Sequence, residues 1–369
     1  MKKIYLFIFA MGCLGLASCS DDDYSPAVHG LEVTSAETSI EAVGGTKTIA
    51  TAVNGTVSAY ANDSWLNVSV DGSNVNVTAS QNNSAESRNT TVVIKSTPED
   101  SAIVNISQFG AVFQLSAGSS LVIPSNLKYS KSYFMKHNLD VATSTSADWI
   151  SVNTSSDSLT VNLSKNTTGH LRKGYIYYQM GDIRDSISVK QYDFDDDFAG
   201  IYFLVYKSSK GKKVALYAQV TSDTLEITDL NTIDLKIPVT FNPSTATMSI
   251  GAGSYCGTYS PYYLYNCFVD GTGKNWTAYE TGYYGTLPFD YDDKNGTSAI
   301  LGGAFGSNEI ANMYIRACTA KAFNSDTDQG SLFAFISPYI IKYNAVSAKT
   351  LNAKGVSLNA KGINLNAKE

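Results

Sequence analysis

ANDSWLNVSV, residues 61–70, has a counterpart in SADWISVNTS, residues 146–155. With Trp65 set on Trp149, Trp65-Leu66-Asn67-Val68 falls on Trp149-Ile150-Ser151-Val152, and Val75–Ala79 falls on Leu159–Leu163. Asn82 meets Asn166 and Arg88 meets Arg172, all at an offset of 84. After a slip of one residue, Val104–Gln108 falls on Ile187–Gln191. Similarity held at one offset over such a span marks an internal duplication. Each copy breaks into short alternating runs separated by turn residues such as Asp71-Gly72-Ser73 and Ser155-Ser156-Asp157. That texture predicts an immunoglobulin-like β-sandwich for each copy.

The order Trp-apolar-x-apolar, turn, alternating strand, Asn, Arg, strand, and a last strand ending in Gln resembles the BACON domain. The first copy also carries Gly44-Gly45-Thr46 ahead of the strand Lys47–Val53, while the second has Leu127–Tyr133 there. The resemblance spans residues 31–192. It implies a Bacteroidetes module named for suspected carbohydrate binding, or a spacer that holds a functional domain off the membrane. Beyond Trp65, Tyr60, Tyr175, Tyr177 and Tyr178 neither copy shows an aromatic cluster, so spacers are expected.

The tryptophans admit two readings. Strict alternation sets Trp65 beside Asn67 and Ser69, opposite Leu66, Val68 and Val70, which favours an exposed sugar platform; Trp149 behaves alike. However, Asp63-Ser64 and Ala147-Asp148 signal a turn or bulge, and one extra residue reverses every side chain. Burying an indole removes on the order of 200 Å² from water, which favours a packing residue at the edge of each core. Arg88 and Arg172 are expected to brace turns or face solvent.

The start of the chain reads as a targeting segment. Lys2 and Lys3 form a basic n-region, and Ile4–Leu16 an apolar core too short to span a bilayer. Leu16-Ala17-Ser18-Cys19 looks like a lipobox, which implies cleavage after residue 18 and lipid on Cys19. Acyl chains contribute about 0.8 kcal/mol per buried methylene, so several anchor the chain stably. Ser20-Asp21-Asp22-Asp23 resembles the export signal of Bacteroidetes surface lipoproteins. The expected location is the outer membrane, lipid-anchored and facing the exterior.

The formal charge of −6 includes Lys2 and Lys3, and no basic run follows, so nucleic acid is not an expected partner. Abundant Gly, Ser, Thr, Asn and Tyr with Val and Ile at period two point to an all-β chain. Cys256 and Cys267 lie eleven apart, and a disulfide between them is expected, with Cys318 left as a buried thiol. No Cys-x-x-Cys or His cluster supports a metal site, and no cofactor is expected.

Asp193–Phe198 marks an acidic join to a domain of different texture. Gly200–Tyr206, Lys213–Val220, Thr224–Ile227, Ile233–Asn242, Thr247–Ile250 and Leu332–Tyr343 read as strands of an up-and-down antiparallel barrel or sandwich. Nine tyrosines and one tryptophan lie in the stretch Tyr255–Tyr291. Tyrosine offers a flat apolar face and a hydroxyl, which suits sugars; Tyr262, Tyr263, Tyr265, Trp276, Tyr283 and Tyr284 are the candidate glycan contacts. The same residues also suit a sheet wall. Asp290–Gly296 fails a calcium loop because Tyr291 and Gly302 stand where aspartate and glutamate are needed, and Asn295-Gly296 predicts a hairpin turn instead. His29, His137 and His170 all lie outside this domain, and no Gly-x-Ser-x-Gly or His-Glu-x-x-His occurs. An enzyme is therefore not expected.

The organisation read from the sequence is a signal peptide 1–18, a lipidated linker 19–30, BACON-like domains 31–111 and 112–193, a β domain 194–345 and a tail 346–369. The tail repeats Leu-Asn-Ala-Lys at 351, 358 and 365, and Gly355 and Gly362 argue for a flexible or weakly β segment over a helix. The expected role is a stalk presenting a non-catalytic domain to a polysaccharide or a host, mucin-type glycan. The alternative is a structural or adhesive protein with a protein partner.

Overall fold

The computed structural model describes residues 30–96, 100–228 and 233–343, together with Ser357 and Leu358. The signal segment, Cys19 and its acidic run, and the rest of the tail lie outside the described residues. The described residues are 62% strand and 2% helix. It divides into two compact units, Met1–Gln81 with Ser87–Phe109, and Asn82–Glu86 with Gly110–Glu369.

The first repeat has eight strands: β1 (Leu31–Ala36), β2 (Ser39–Ile40), β3 (Gly45–Val53), β4 (Ser58–Ala61), β5 (Leu66–Asp71), β6 (Asn74–Ala79), β7 (Arg88–Lys95) and β8 (Ser101–Gln108). They form two sheets, ordered β1-β3-β6-β5 and β2-β8-β7-β4. The second repeat has β9 (Phe113–Leu115), β10 (Ser120–Ile123), β11 (Tyr129–His137), β12 (Ala142–Thr145), β13 (Ile150–Thr154), β14 (Ser158–Leu163), β15 (Arg172–Met180) and β16 (Ile183–Gln191). Its sheets are ordered β13-β14-β11-β9 and β10-β16-β15-β12. Strand for strand this is the same sandwich, down to the parallel pairing of β2 with β8 and of β10 with β16.

The period-two pattern explains both cores. Val75, Val77, Val92 and Ile94 are fully buried between the first pair of sheets. Leu159, Val161 and Ile176 take the corresponding places in the second, with Ile187 and Val189 from its last strand. Each such side chain stabilises its sandwich by about 1.5–3 kcal/mol. Gly44 serves only the first copy: at φ 85° it passes so close to β6 that a Cβ would strike the Ala79 carbonyl. In the second copy β11 fills the place of β3 without that glycine.

Beyond the sandwiches come β17 (Gly200–Lys207), β18 (Lys213–Val220), β19 (Thr224–Ile227), β20 (Asp234–Pro238), β21 (Thr240–Asn242), β22 (Thr247–Gly251), β23 (Tyr255–Tyr259) and β24 (Tyr262–Asp270). They are followed by β25 (Tyr284–Asp292), β26 (Gly296–Ile300), β27 (Gly302–Phe305), β28 (Asn308–Cys318) and β29 (Asp328–Lys342). Eight of them close a ring of antiparallel neighbours, β17-β18-β19-β20-β23-β24-β28-β29 and back to β17. The remaining five form a flanking layer in which β22 pairs with β25, and β25 with β26 and β27. Met248, Ile250, Leu287 and Phe289 of that layer share one core with Leu204, Leu216, Phe268 and Phe335 of the ring. A void beside Leu204, Leu225, Ile250 and Met313 measures about 10 Å³, no more than a water needs. The barrel core is closely packed with side chains.

The acidic join is a plug. Asp193 caps one π-helical turn, Phe194–Phe198, by accepting from the Asp195 and Asp196 amides. Phe198 stacks on Phe289 at 4.4 Å, and Leu171 and Tyr192 of the second sandwich are buried in the same core as the barrel. Around this seam His170 stacks on Tyr291 with ring centres 3.4 Å apart, and Lys173 pairs with Asp290 at 2.6 Å. The seam fuses the second repeat to the barrel.

Asp290–Gly296 closes the β25–β26 hairpin, with the Asp292 carboxylate accepting from the Lys294 and Asn295 amides at 2.9 and 2.7 Å. The expected Cys256–Cys267 disulfide does not form: Cys256, Cys267 and Cys318 are all free and buried. A bulge sets the β23–β24 register so that Gly257 faces Leu264, and Cys256 then turns into the barrel core. Cys267, an odd number of residues beyond Leu264, faces the other side of β24. Burial pushes both the Cys256 and Cys267 thiols up to about 12, which keeps them protonated and unreactive.

Candidate functional site

The duplicated tryptophans stand just before their strands, so the alternation along β5 and β13 does not extend to them. A turn precedes each: the Leu66 amide donates to Asp63 O at 3.2 Å, and the Ile150 amide to Ala147 O at 3.1 Å. Both indoles are half-buried and pack against the core of their own sandwich. An arginine covers each outer face, Arg88 at 4.5 Å from the Trp65 ring centre and Arg172 at 4.2 Å from that of Trp149. Arg88 Nε donates to Gln108 Oε1 at 2.8 Å, and Arg172 Nε to Gln191 Oε1 at 3.1 Å. The glutamines donate onward, Gln108 to Ser80 O at 2.8 Å and Gln191 to Leu127 O at 2.7 Å. Asn82 and Asn166, each 3% exposed, brace the loop after β6 or β14 through Glu86 O and His170 O at 2.9 Å. Trp, Asn, Arg and Gln thus assemble one structural clamp per repeat, with no indole face left open.

The barrel offers a different surface. Cys256, Leu264, Phe268, Met313, Ile315 and Ala317 face its core, so Tyr255, Tyr263, Tyr265, Cys267, Arg316 and Cys318 face outward. Past Tyr265 the free edge of β24 is met by a returning chain: Val269 bridges Trp276, and the Thr277 amide donates to Phe268 O at 2.9 Å. Asp270 shapes that return by accepting from the Thr272 and Asn275 side chains at 2.8 and 2.7 Å. Burial opposes its ionisation, yet these bonds and the Asn275 and Lys274 amides hold it at about 2.

The outcome is a continuous row of rings on the outer wall. Tyr263 and Tyr265 both lie against Tyr255, at 6.4 and 5.7 Å. Tyr265 stacks on Phe323 at 5.3 Å, Phe323 meets Tyr279 edge-on at 5.0 Å, and Tyr279 meets Trp276 at 5.5 Å. Cations flank both ends, with Lys321 at 5.2 Å from the Tyr255 ring and Arg316 at 4.4 Å from that of Trp276. Arg316 also donates from Nε to Asp328 Oδ2 at 2.6 Å, and Tyr279 Oη donates to the same oxygen at 3.0 Å. Burial disfavours the Asp328 carboxylate, but the hydrogen bonds from Arg316, Gly330 and Tyr279 outweigh it and keep its pKa below the usual range.

The six residues singled out by sequence divide. Tyr263 and Trp276 are half-buried members of the row. Tyr265 belongs to it but is 7% exposed, its face covered by Phe323. Tyr262 and Tyr283 pack against the barrel core, and Tyr284, 56% exposed, stands apart on β25. Arg316, Lys321, Phe323 and Asp328 complete the row from far along the chain, where no local pattern announces them.

Residues 55–109 and 140–192 match the profile of the BACON family, described as "Putative binding domain, N-terminal". Both repeats are BACON-like domains. Each match takes in the last five strands of its BACON-like domain and therefore the whole Trp-Arg-Gln clamp. No curated protein matches the chain. Among solved structures it is similar to a titin I9–I11 tandem at 8% identity and a TM-score of 0.33, covering 80% of this chain and 96% of that one. It is also similar to an endo-fucoidan hydrolase of glycoside hydrolase family 107 at 8% identity and a TM-score of 0.24, covering 46% of this chain and 29% of that one. Likenesses this loose carry no argument about the BACON-like domains or the barrel.

Proposed function

We propose that the protein is a surface lipoprotein, anchored in the outer membrane through lipid on Cys19, whose non-catalytic barrel binds a glycan across its outer aromatic row. The two BACON-like domains and the all-β architecture support a surface-protein role. The observation that carries the glycan reading is the row itself: Tyr255, Tyr263, Trp276 and Tyr279 are half-exposed rings in one line, bordered by Arg316 and Lys321. Flat apolar faces with fixed donors beside them are what sugar rings and their hydroxyls require. The clamped tryptophans support a spacing role for the BACON-like domains.

A second reading, adhesion to a protein, draws on the second BACON-like domain. Tyr175 and Tyr177 are 47% and 46% exposed and lie 6.0 Å apart at 21° on the outer face of β15. Exposed tyrosine pairs serve protein contacts well.

The test is an array of plant, microbial and mucin-type glycans probed with the chain from residue 20 onward and with its Tyr255→Ala/Trp276→Ala double variant. Binding by the parent that is lost in the variant is the expected result. An array with no binding, together with a protein partner lost on Tyr175→Ala/Tyr177→Ala, favours adhesion instead. Anchoring is checked by fatty-acid labelling, which Cys19→Ala should abolish.

A further inference from the structure

The wall of the barrel formed by β17, β18 and β29 is apolar on both faces. Tyr202, Leu204 and Tyr206 point into the core, while Phe203, Val205, Ala215 and Ile341 make a separate outward cluster that is at most 3% exposed. Tyr217 and Tyr339 border that cluster. An outward face of a barrel that meets water is ordinarily polar at alternate positions, so this one calls for a cover.

The same wall has an open edge. β18 pairs with β17 along its whole length, but β19 reaches only Ala218–Val220. Among the described residues, the strand that meets β18 before Ala218 on its other side is β30 (Ser357–Leu358), which pairs in parallel with Val214 and Ala215. Unpaired edges invite strand addition. Tyr343 lies beside this wall, its amide donating to Ile201 O at 2.8 Å, and it lines a groove with Ile201, Tyr217, Gln219 and Thr228. From there thirteen residues, 344–356, precede Ser357; extended they reach about 43 Å. Val214 is five residues along β18 from Gln219, the partner of Ile201, or about 17 Å. The span is easily met.

We infer that the C-terminal repeat is a docking strand of this same chain: the segment 355–361 adds to the free edge of β18 and closes the border of the outward apolar cluster. The sequence Val356-Ser357-Leu358-Asn359-Ala360 alternates as an added strand requires. The Leu-Asn-Ala-Lys unit recurs at 351 and 365, so neighbouring registers present equivalent residues to the same edge.

Hydrogen exchange on the full chain and on a chain ending at Tyr343 tests this. Amides of Lys213–Leu216 should exchange several-fold faster without the tail, and dye binding to apolar surface should rise. The peptide GVSLNAKG, residues 355–362, should restore protection to the shortened chain. Leu358→Asp in the full chain should reproduce the loss, a control independent of truncation. Equal exchange with and without the tail, and no effect of the peptide, would overturn the inference. So would protection that appears only with protein concentration and a dimer, since the occupant would then be a second copy.

Discussion

Arg172 shows how one side chain can set a loop, a ring and a strand at once. It lies over Trp149, forks to Gln191 at 3.1 and 2.6 Å, and reaches the Ser164 carbonyl. Arg172→Ala should cost the second repeat about 2 kcal/mol, the scale of a charged hydrogen bond with a cation–π contact. Arg172→Lys should recover little, because an ammonium cannot fork; chemical denaturation followed by tryptophan fluorescence measures both. Asp197 is a second residue with a defined cost. It is fully buried, its Oδ1 has no hydrogen-bond partner among the described residues, and its Oδ2 accepts from the Asp193 amide at 2.8 Å. Burial raises its pKa above the ordinary 3.8, more than the nearby Lys342 charge lowers it. Between 3.8 and that raised value the folded chain binds more protons than the unfolded one. Stability therefore falls as pH rises through this window, and the cost is complete above it. Asp197→Asn should raise the melting temperature at pH 7, with the gain shrinking as pH falls toward 3.8.

At the level of strands, the repeats differ where β15 passes under Trp149. Gly174 occupies the place of Thr90, and a Cβ there would stand 2.6 Å from Ile150 Cδ1 and 3.2 Å from Trp149 Cζ2. Gly174→Thr, the first repeat's own choice, should destabilise the second repeat by about 1–3 kcal/mol through overpacking; a shift in the urea midpoint without a change in slope would show it. This difference also marks how far the strands were legible. Alternation and the offset of 84 located β5 to β8 and β13 to β16, because period two and turn residues are local signals. At Trp65 strict alternation points outward while the turn signal at Asp63-Ser64 points to packing, and the turn just ahead of the strand does reset the facing. The Cys256–Cys267 pairing failed for a related reason: a bulge between Tyr255 and Gly257 sets which face each thiol takes, and nothing in the spacing encodes it. The outer aromatic row was half legible. Its tyrosines cluster in sequence, but Arg316, Phe323 and Asp328 join only through the pairing of β24 with β28 and of β28 with β29.

Over the whole molecule, independence belongs to the first repeat alone. Its core is drawn from Leu31 to Ile106 and is complete in itself. The barrel core, by contrast, includes Leu171 and Tyr192 from the second repeat. Calorimetry should resolve two transitions, one for residues 30–109 and one for 110–343. A fragment beginning at Asp195 should fail to fold, because it lacks two of the large side chains that fill the barrel's end. Binding assays on the barrel therefore need the second repeat attached. The parallel pairings carry a mechanical consequence. In each sandwich an early strand lies alongside the last one and runs the same way, so tension between the two ends loads their bonds together, in shear. The first repeat sets two residue pairs against such a pull, Ser39 with Ser107 and Ile40 with Gln108. The second sets four, from Ser120 with Ser188 to Ile123 with Gln191. Pulled by its two ends in single-molecule force spectroscopy, the first sandwich should rupture at the lower force, a mechanical fuse that gives way and lengthens the chain before the second repeat yields.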